Sequence, residues 1–196
     1  MVGPTTFGYQ NLGFGAGGAD LGKLELIQTQ TVSSVSSINF TNLKGSTYNV
    51  HLITVTDLTF TSNQDNLRIR VSNDGGSSYE DGNDYQLAIQ YASEQANYNE
   101  YRSTGTSGYD IGLLGAYGST MAMNFYAYMY NANDSSKYTF WNSHGTTHSQ
   151  TASHGQGMFF GSGVYDVAET INAFTLFGDT GNAIANATVS LYGIKE

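Results

Sequence analysis

Alternation of apolar and polar positions runs through most of this chain. Met121, Met123, Phe125, Ala127 and Met129 fall on one side of a two-residue period, and Ala122, Asn124, Tyr126, Tyr128 and Tyr130 fall on the other. Successive side chains of a β-strand point to opposite faces, so this is the signature of a strand with one buried face. Its other face is rich in tyrosine, which fits packing against a loop or a partner better than simple solvation. Leu67, Ile69 and Val71 alternate with Arg68, Arg70 and Ser72, a half-buried strand with a cationic outer face. Tyr48, Val50 and Leu52 alternate with Asn49, His51 and Ile53, and the pattern continues through Val55 to Leu58. Further strands are expected near 24–29, 32–40, 111–116, 138–140 and 158–160.

Residues 84–100 fit two periods. Leu87, Ala88, Tyr91 and Gln95 suit a helical stripe with Asp84 as its N-cap, whereas Tyr85, Leu87, Ile89 and Tyr91 alternate as a strand. The β-rich flanks favour the strand, with a short helix as the alternative. Asn73-Asp74-Gly75-Gly76 reads as a hairpin turn leading to a strand that opens at Tyr79, since Asn, Asp and Gly tolerate positive φ. The last third predicts a final hairpin: a strand over 170–177, a turn at Gly178-Asp179-Thr180-Gly181, and a closing strand over 188–194. Many short strands without βαβ alternation or a long amphipathic helix predict an all-β, antiparallel β-sandwich or jelly roll.

The segment 1–23 has neither period. It carries Gly3, Gly8, Gly13, Gly15, Gly17, Gly18 and Gly22 with Phe7, Tyr9, Leu12 and Phe14 between them. A glycine-rich segment loses much entropy on ordering and cannot form a core of its own. It is expected to be an extended anchoring arm, gripped through those four side chains by a neighbouring subunit or another protein. The alternative is an arm folded back along its own domain. The remaining residues, 24–196, are expected to form one sandwich domain, a size that can bury a substantial core.

Composition supports this and narrows the partners. Only 12% of residues are charged, against roughly a quarter in an average domain. With seven Lys and Arg and a formal net charge of −9, the chain lacks the clustered cations that phosphate backbones require. Nucleic acid and anionic membrane surfaces are therefore not expected as partners. No apolar run approaches the ~18 residues of a membrane-spanning helix. With no cysteine and no basic-then-apolar start, nothing argues for secretion, and synthesis in a cytoplasm is expected.

Three stretches in order carry a family resemblance: Leu24-Glu-Leu-Ile-Gln-Thr-Gln-Thr-Val-Ser-Ser-Val-Ser-Ser-Ile-Asn-Phe-Thr with Ser46-Thr-Tyr-Asn-Val-His-Leu-Ile; Val71-Ser-Asn-Asp-Gly-Gly-Ser-Ser-Tyr79; and Ile171-Asn-Ala-Phe followed by Leu191-Tyr-Gly-Ile. This order resembles small structural proteins of tailed bacteriophages, usually described as tail-fibre or virion-associated proteins. The resemblance covers about 24–80 and 165–195. It implies a jelly-roll β-sandwich that assembles as a homotrimer, and a virion protein made in the host cytoplasm. The role it implies is a short tail fibre or baseplate-attached fibre in host attachment, joined by its arm to another virion protein. Capsid decoration on the outer head surface is the alternative, and a carbohydrate-active tail enzyme the second. The family supplies no catalytic residues, and the middle, 81–164, is this chain's own.

Candidate chemistry is sparse, and neither a catalytic residue nor a cofactor is expected. Gly13-Phe-Gly-Ala-Gly-Gly18 matches a dinucleotide-binding pattern but lacks the preceding strand that pattern needs. His144, His148 and His154 are weak metal candidates, since three imidazoles lie close in sequence. The simpler reading is a polar loop with solvated histidines. Asp74, Glu80, Asp81 and Asp84 cluster without the spacing of an EF-hand, and turn chemistry accounts for them. Paired carboxylates for glycoside hydrolysis would need to face each other across a sugar, which one loop does not provide. Tyr126, Tyr128, Tyr130, Tyr138 and Trp141 form a candidate interface or receptor surface, because tyrosine gives large contact area with a polar handle. Host-surface carbohydrate and a trimer interface would both use such a surface.

Overall fold

The computed structural model describes residues 22–62, 64–94, 98–115, 121–148 and 155–195. The arm residues Phe7, Tyr9, Leu12 and Phe14 lie outside these described residues. All regular structure in the described residues is β: β1 (Leu24–Val35), β2 (Ser37–Phe40), β3 (Val50–Phe60), β4 (Asp65–Ser72), β5 (Tyr85–Ser93), β6 (Tyr98–Thr106), β7 (Tyr109–Gly115), β8 (Met123–Tyr130), β9 (Thr139–His148), β10 (Gln156–Tyr165), β11 (Ala173–Gly178) and β12 (Ile184–Ile194). Every pairing is antiparallel. None of the described residues forms a helix long and apolar enough to cross a membrane.

Two sheets enclose the core. One has eight strands in the order β1-β12-β3-β8-β9-β10-β5-β6, and the other has four in the order β2-β11-β4-β7. The first four strands of the large sheet and the four of the small sheet make a complete eight-stranded jelly roll, the chain passing from sheet to sheet at each step except β4 to β7, which are neighbours in the small sheet. Two hairpins are inserted into it. β5–β6 enters between β4 and β7, and β9–β10 enters between β8 and β11. The hairpins pair with each other through β10 and β5, and β9 pairs with β8, so they extend one sheet by four strands.

The alternating apolar positions of the sequence become the core. Ile53 and Val55 of β3, Ile69 and Val71 of β4, Met123, Phe125, Ala127 and Met129 of β8, and Val189 and Leu191 of β12 are all buried. The added strands need a core of their own, and aromatic side chains supply it. Trp141 lies 5.6 Å from Tyr109 and 6.3 Å from Tyr85, centroid to centroid, with both pairs near parallel. Tyr165 packs on Tyr85 at 5.0 Å, and the Tyr109 hydroxyl is 2.8 Å from Ser143 Oγ.

Several expected turns connect differently. The final two strands do not form a hairpin. β11 lies between β2 and β4, whereas β12 lies between β1 and β3 in the other sheet, so Gly178–Gly181 turns the chain across the sandwich. Asp65 holds that crossing, accepting hydrogen bonds from the Thr180 backbone N–H and hydroxyl. Nor does Asn73–Gly76 form a hairpin, since β4 and β5 belong to different sheets. Both oxygens of Asp74 are taken by its own turn: Oδ1 accepts from the Ser72 hydroxyl and the Ser78 N–H, and Oδ2 accepts from the Ser78 hydroxyl. Those bonds hold the Asp74 carboxyl far below its ordinary range. The stretch 84–100 is strand, as its flanks suggest, and it turns into a hairpin of β5 and β6. Arg68 on the cationic face of β4 pairs with Asp110 at 2.7 Å and Asp179 at 2.5 Å, and Arg70 sits 4.7 Å over the Phe177 ring and donates to Ser107.

Candidate functional site

Outward positions of the eight-stranded sheet line up in rows across the strands. One row begins Leu24, Ile194, Val50, Tyr130, Phe140 and Val164, then turns polar at Gln86 and Thr104. The next begins Leu26, Tyr192, Leu52 and Tyr128, then continues with Asn142, Ser162, Ala88 and Arg102. A third carries Tyr126, His144, Phe160, Gln90 and Glu100. The face therefore has two halves. Over β1, β12 and β3, the first two rows form an uncharged apolar platform, with Leu24 and Leu26 about half exposed at 49% and 56%. Over β8 and the inserted strands, the same face is mixed aromatic and polar.

The second half is hollow. Asn142, Ser162 and Ala88 make a low floor because they are short. Larger side chains stand on either side: Phe140 in the row before, and His144 and Phe160 in the row after. The resulting open trough has a volume of about 950 Å³, and a smaller hollow of about 240 Å³ continues it, sharing Ala88 and Ser162. Tyrosines of β8 close one end and Arg102 with Glu100 stands at the other. Along the floor row, from β8 to β6, the trough crosses four strand spacings, roughly 19 Å.

The tyrosine wall is ordered by its own contacts. Tyr128 and Tyr130 are near parallel, with centroids 6.1 Å apart and planes at 26°. Tyr126 meets Tyr128 edge-on at 6.0 Å and meets His144 edge-on at 5.7 Å, with its hydroxyl 3.3 Å from His144 Nδ1. Burial and the neighbouring Tyr128 raise the Tyr130 hydroxyl above its ordinary pKa. At the far end, Arg102 and Glu100 lie 3.6 Å apart and are both exposed. Glu100 is the one carboxylate among the described lining residues, so the trough does not present the facing carboxylates of a glycosidase.

The sequence candidates separate accordingly. Tyr126, Tyr128 and Tyr130 come together on the wall. Tyr138 is exposed but stands just before β9, outside the trough. Trp141 is a correction: it is fully buried, pointing inward from β9 into the aromatic core, and cannot contribute to a surface. His144 and His148 lie on strand β9 rather than in a loop, four residues apart on one face, and His154 lies outside the described residues. At about 3.4 Å per residue, two such histidines stand too far apart along a strand to share an ion. The described residues hold no group of three His, Cys, Asp or Glu arranged for a metal. Sequence reasoning missed Asn142, Phe160, Ser162, Ala88 and Arg102. Each is an outward position of an alternating strand, but the pairing of β10 with β5 that gathers them has no local signal.

No known protein family matches the chain, and no curated protein does. Solved structures give weak likenesses. A fructofuranosidase from Schwanniomyces occidentalis complexed with fructosylnystose is 8% identical, with 87% of this chain and 34% of that chain covered and a TM-score of 0.19. The CBM2 module of the evolved Dit of Lactobacillus casei BL23 phage J-1 is 7% identical over 98% of this chain and 87% of that one, with a TM-score of 0.23. This chain spans only about a third of the fructofuranosidase. At such TM-scores neither likeness carries an argument about fold or activity.

Proposed function

We propose that the chain is a non-catalytic virion protein of a tailed bacteriophage, a short tail fibre or baseplate-attached fibre that contacts the host surface. The observation that carries this reading is the outward face of β8 and the inserted strands, where Tyr126, Phe140, Met158 and Phe160 are each more than 40% exposed. Such a face is made for contact rather than for solvation. The trough suits a host-surface carbohydrate, and the platform suits another protein surface. A homotrimer that buries the platform leaves the trough free. The arm, with Phe7, Tyr9, Leu12 and Phe14, joins the assembly to another virion protein. Immunogold labelling of particles of the phage that encodes the chain, with antibody against 24–196, is expected to mark the tail. Label over the head would select the capsid-decoration reading instead, and unlabelled particles would overturn both.

A further inference from the structure

The chemistry of the trough is specific enough to name what it takes. We infer that it binds a neutral, linear oligosaccharide lying across the strands, a deepening of the attachment reading that rests on it.

Three observations lead there. The first is the pairing of aromatic wall with amide and hydroxyl floor. A pyranose ring offers a C–H face and a rim of hydroxyls. Tyr128 and Tyr130 offer near-parallel rings, while Asn142, Ser162 and Gln90 offer both donors and acceptors close by. A protein partner would find the floor too polar, and the uncharged apolar platform on the same sheet serves such a partner better. The second is charge. Arg102 and Glu100 face each other at 3.6 Å and cancel, so the lining has no net charge, in a chain whose net charge is −9. A sulfated, phosphorylated or uronic-acid polymer would meet no cationic surplus here and would be repelled by the rest of the molecule. The third is shape. The trough is open and runs across five strands, roughly 19 Å from Tyr128 to Arg102, which is a run of several sugar units rather than a closed pocket for one.

The test titrates the full chain with a panel of neutral linear tetrasaccharides (cellotetraose, maltotetraose, mannotetraose and N-acetylchitotetraose) and with heparin, by calorimetry. Saturable binding of at least one neutral tetrasaccharide is expected, with none of heparin. Tyr128→Ala is expected to weaken that binding about ten-fold, the loss of one aromatic contact. Asn142→Ala, at an exposed floor position, is the second variant should Tyr128→Ala disturb the wall. Leu26→Ala, on the platform, is expected to leave binding unchanged. Binding of heparin alone, no binding by any neutral sugar, or undiminished binding in both trough variants would overturn the inference. Particle labelling keeps the two readings apart. A protein that marks the tail but binds no sugar loses the trough and keeps the virion role. One that binds sugar but marks no particle does the reverse.

Discussion

His51 shows how one residue can make the molecule sensitive to acid. It belongs to β3 and points inward, fully buried, with Nε2 2.7 Å from the Leu43 carbonyl and Nδ1 without a protein partner. Burial holds its imidazole below the ordinary 6.5, and the Leu43 carbonyl offsets this only in part. As pH falls through about 6.5 the unfolded chain takes up a proton that the folded chain refuses, so stability present above that pH is lost progressively below it. Urea unfolding between about pH 7.5 and 5 is expected to show a falling midpoint, and His51→Gln is expected to flatten that slope. The sequence shows His51 on the polar side of an alternating pattern, and nothing local reveals that this side is the buried one. Its neighbours Ile53 and Val55 decide the matter, since they share its face and Val50 and Leu52 do not.

At the scale of elements, alternation tells which residues share a face and says little about which strand lies alongside. Met123 to Tyr130 is read correctly in both respects that a period can give: its methionine side is core and its tyrosine side is surface. The last two strands overlap the expected ones, although β12 begins at Ile184 rather than 188, and their pairing differs. A Gly-Asp-Thr-Gly turn between two strands looks the same whether the chain folds back beside itself or crosses to the opposite sheet. The distinction rests on Asp65, more than a hundred positions earlier, which receives Thr180. Trp141 is a similar case. Its aromatic neighbours in sequence, Tyr138 and Phe140, are exposed, and only its place on the inward side of β9 puts it among Tyr85 and Tyr109. That packing leaves no room over Gly163, where an added Cβ would stand 2.4 Å from the Tyr109 ring. Gly163→Val is therefore expected to cost about 1–3 kcal/mol or more by overpacking, read as a lowered denaturation midpoint together with a changed near-ultraviolet dichroism of Trp141.

For the whole molecule, the division into jelly roll and insertions coincides only in part with the division in the sequence. The stretches with a family resemblance, about 24–80 and 165–195, supply six of the eight jelly-roll strands, β1 to β4 with β11 and β12. The chain's own middle supplies β7 and β8 and all four added strands, and with them the trough. Fold class was legible because a low-charge, glycine-punctuated, period-two chain has few other ways to bury its apolar face. The trough was only half legible, because its tyrosine wall lies on one strand while its floor is gathered from three. The platform is a property of this scale as well. Leu24 and Leu26 stand exposed on the edge strand beside a half-buried Tyr192 and Ile194, which favours assembly through that surface. Light scattering is expected to give the mass of a homotrimer, and Leu26→Glu to give a smaller species that remains folded, with a lower melting temperature because association no longer stabilises it. An unchanged mass would move the interface elsewhere.

The β10–β5 ladder has a consequence for how such a protein can diversify. It joins Tyr165 to Tyr85 and Gly157 to Ser93 without a register shift, although the two strands enter the jelly roll through separate insertions. A one-residue slip in either would turn the floor positions inward and the aromatic core outward. Ser162 and Ala88 sit opposite each other in that ladder, so a change of register in one insertion has to be matched in the other. New specificities should arise by substitution at outward positions with both lengths held fixed, or by replacing both hairpins together.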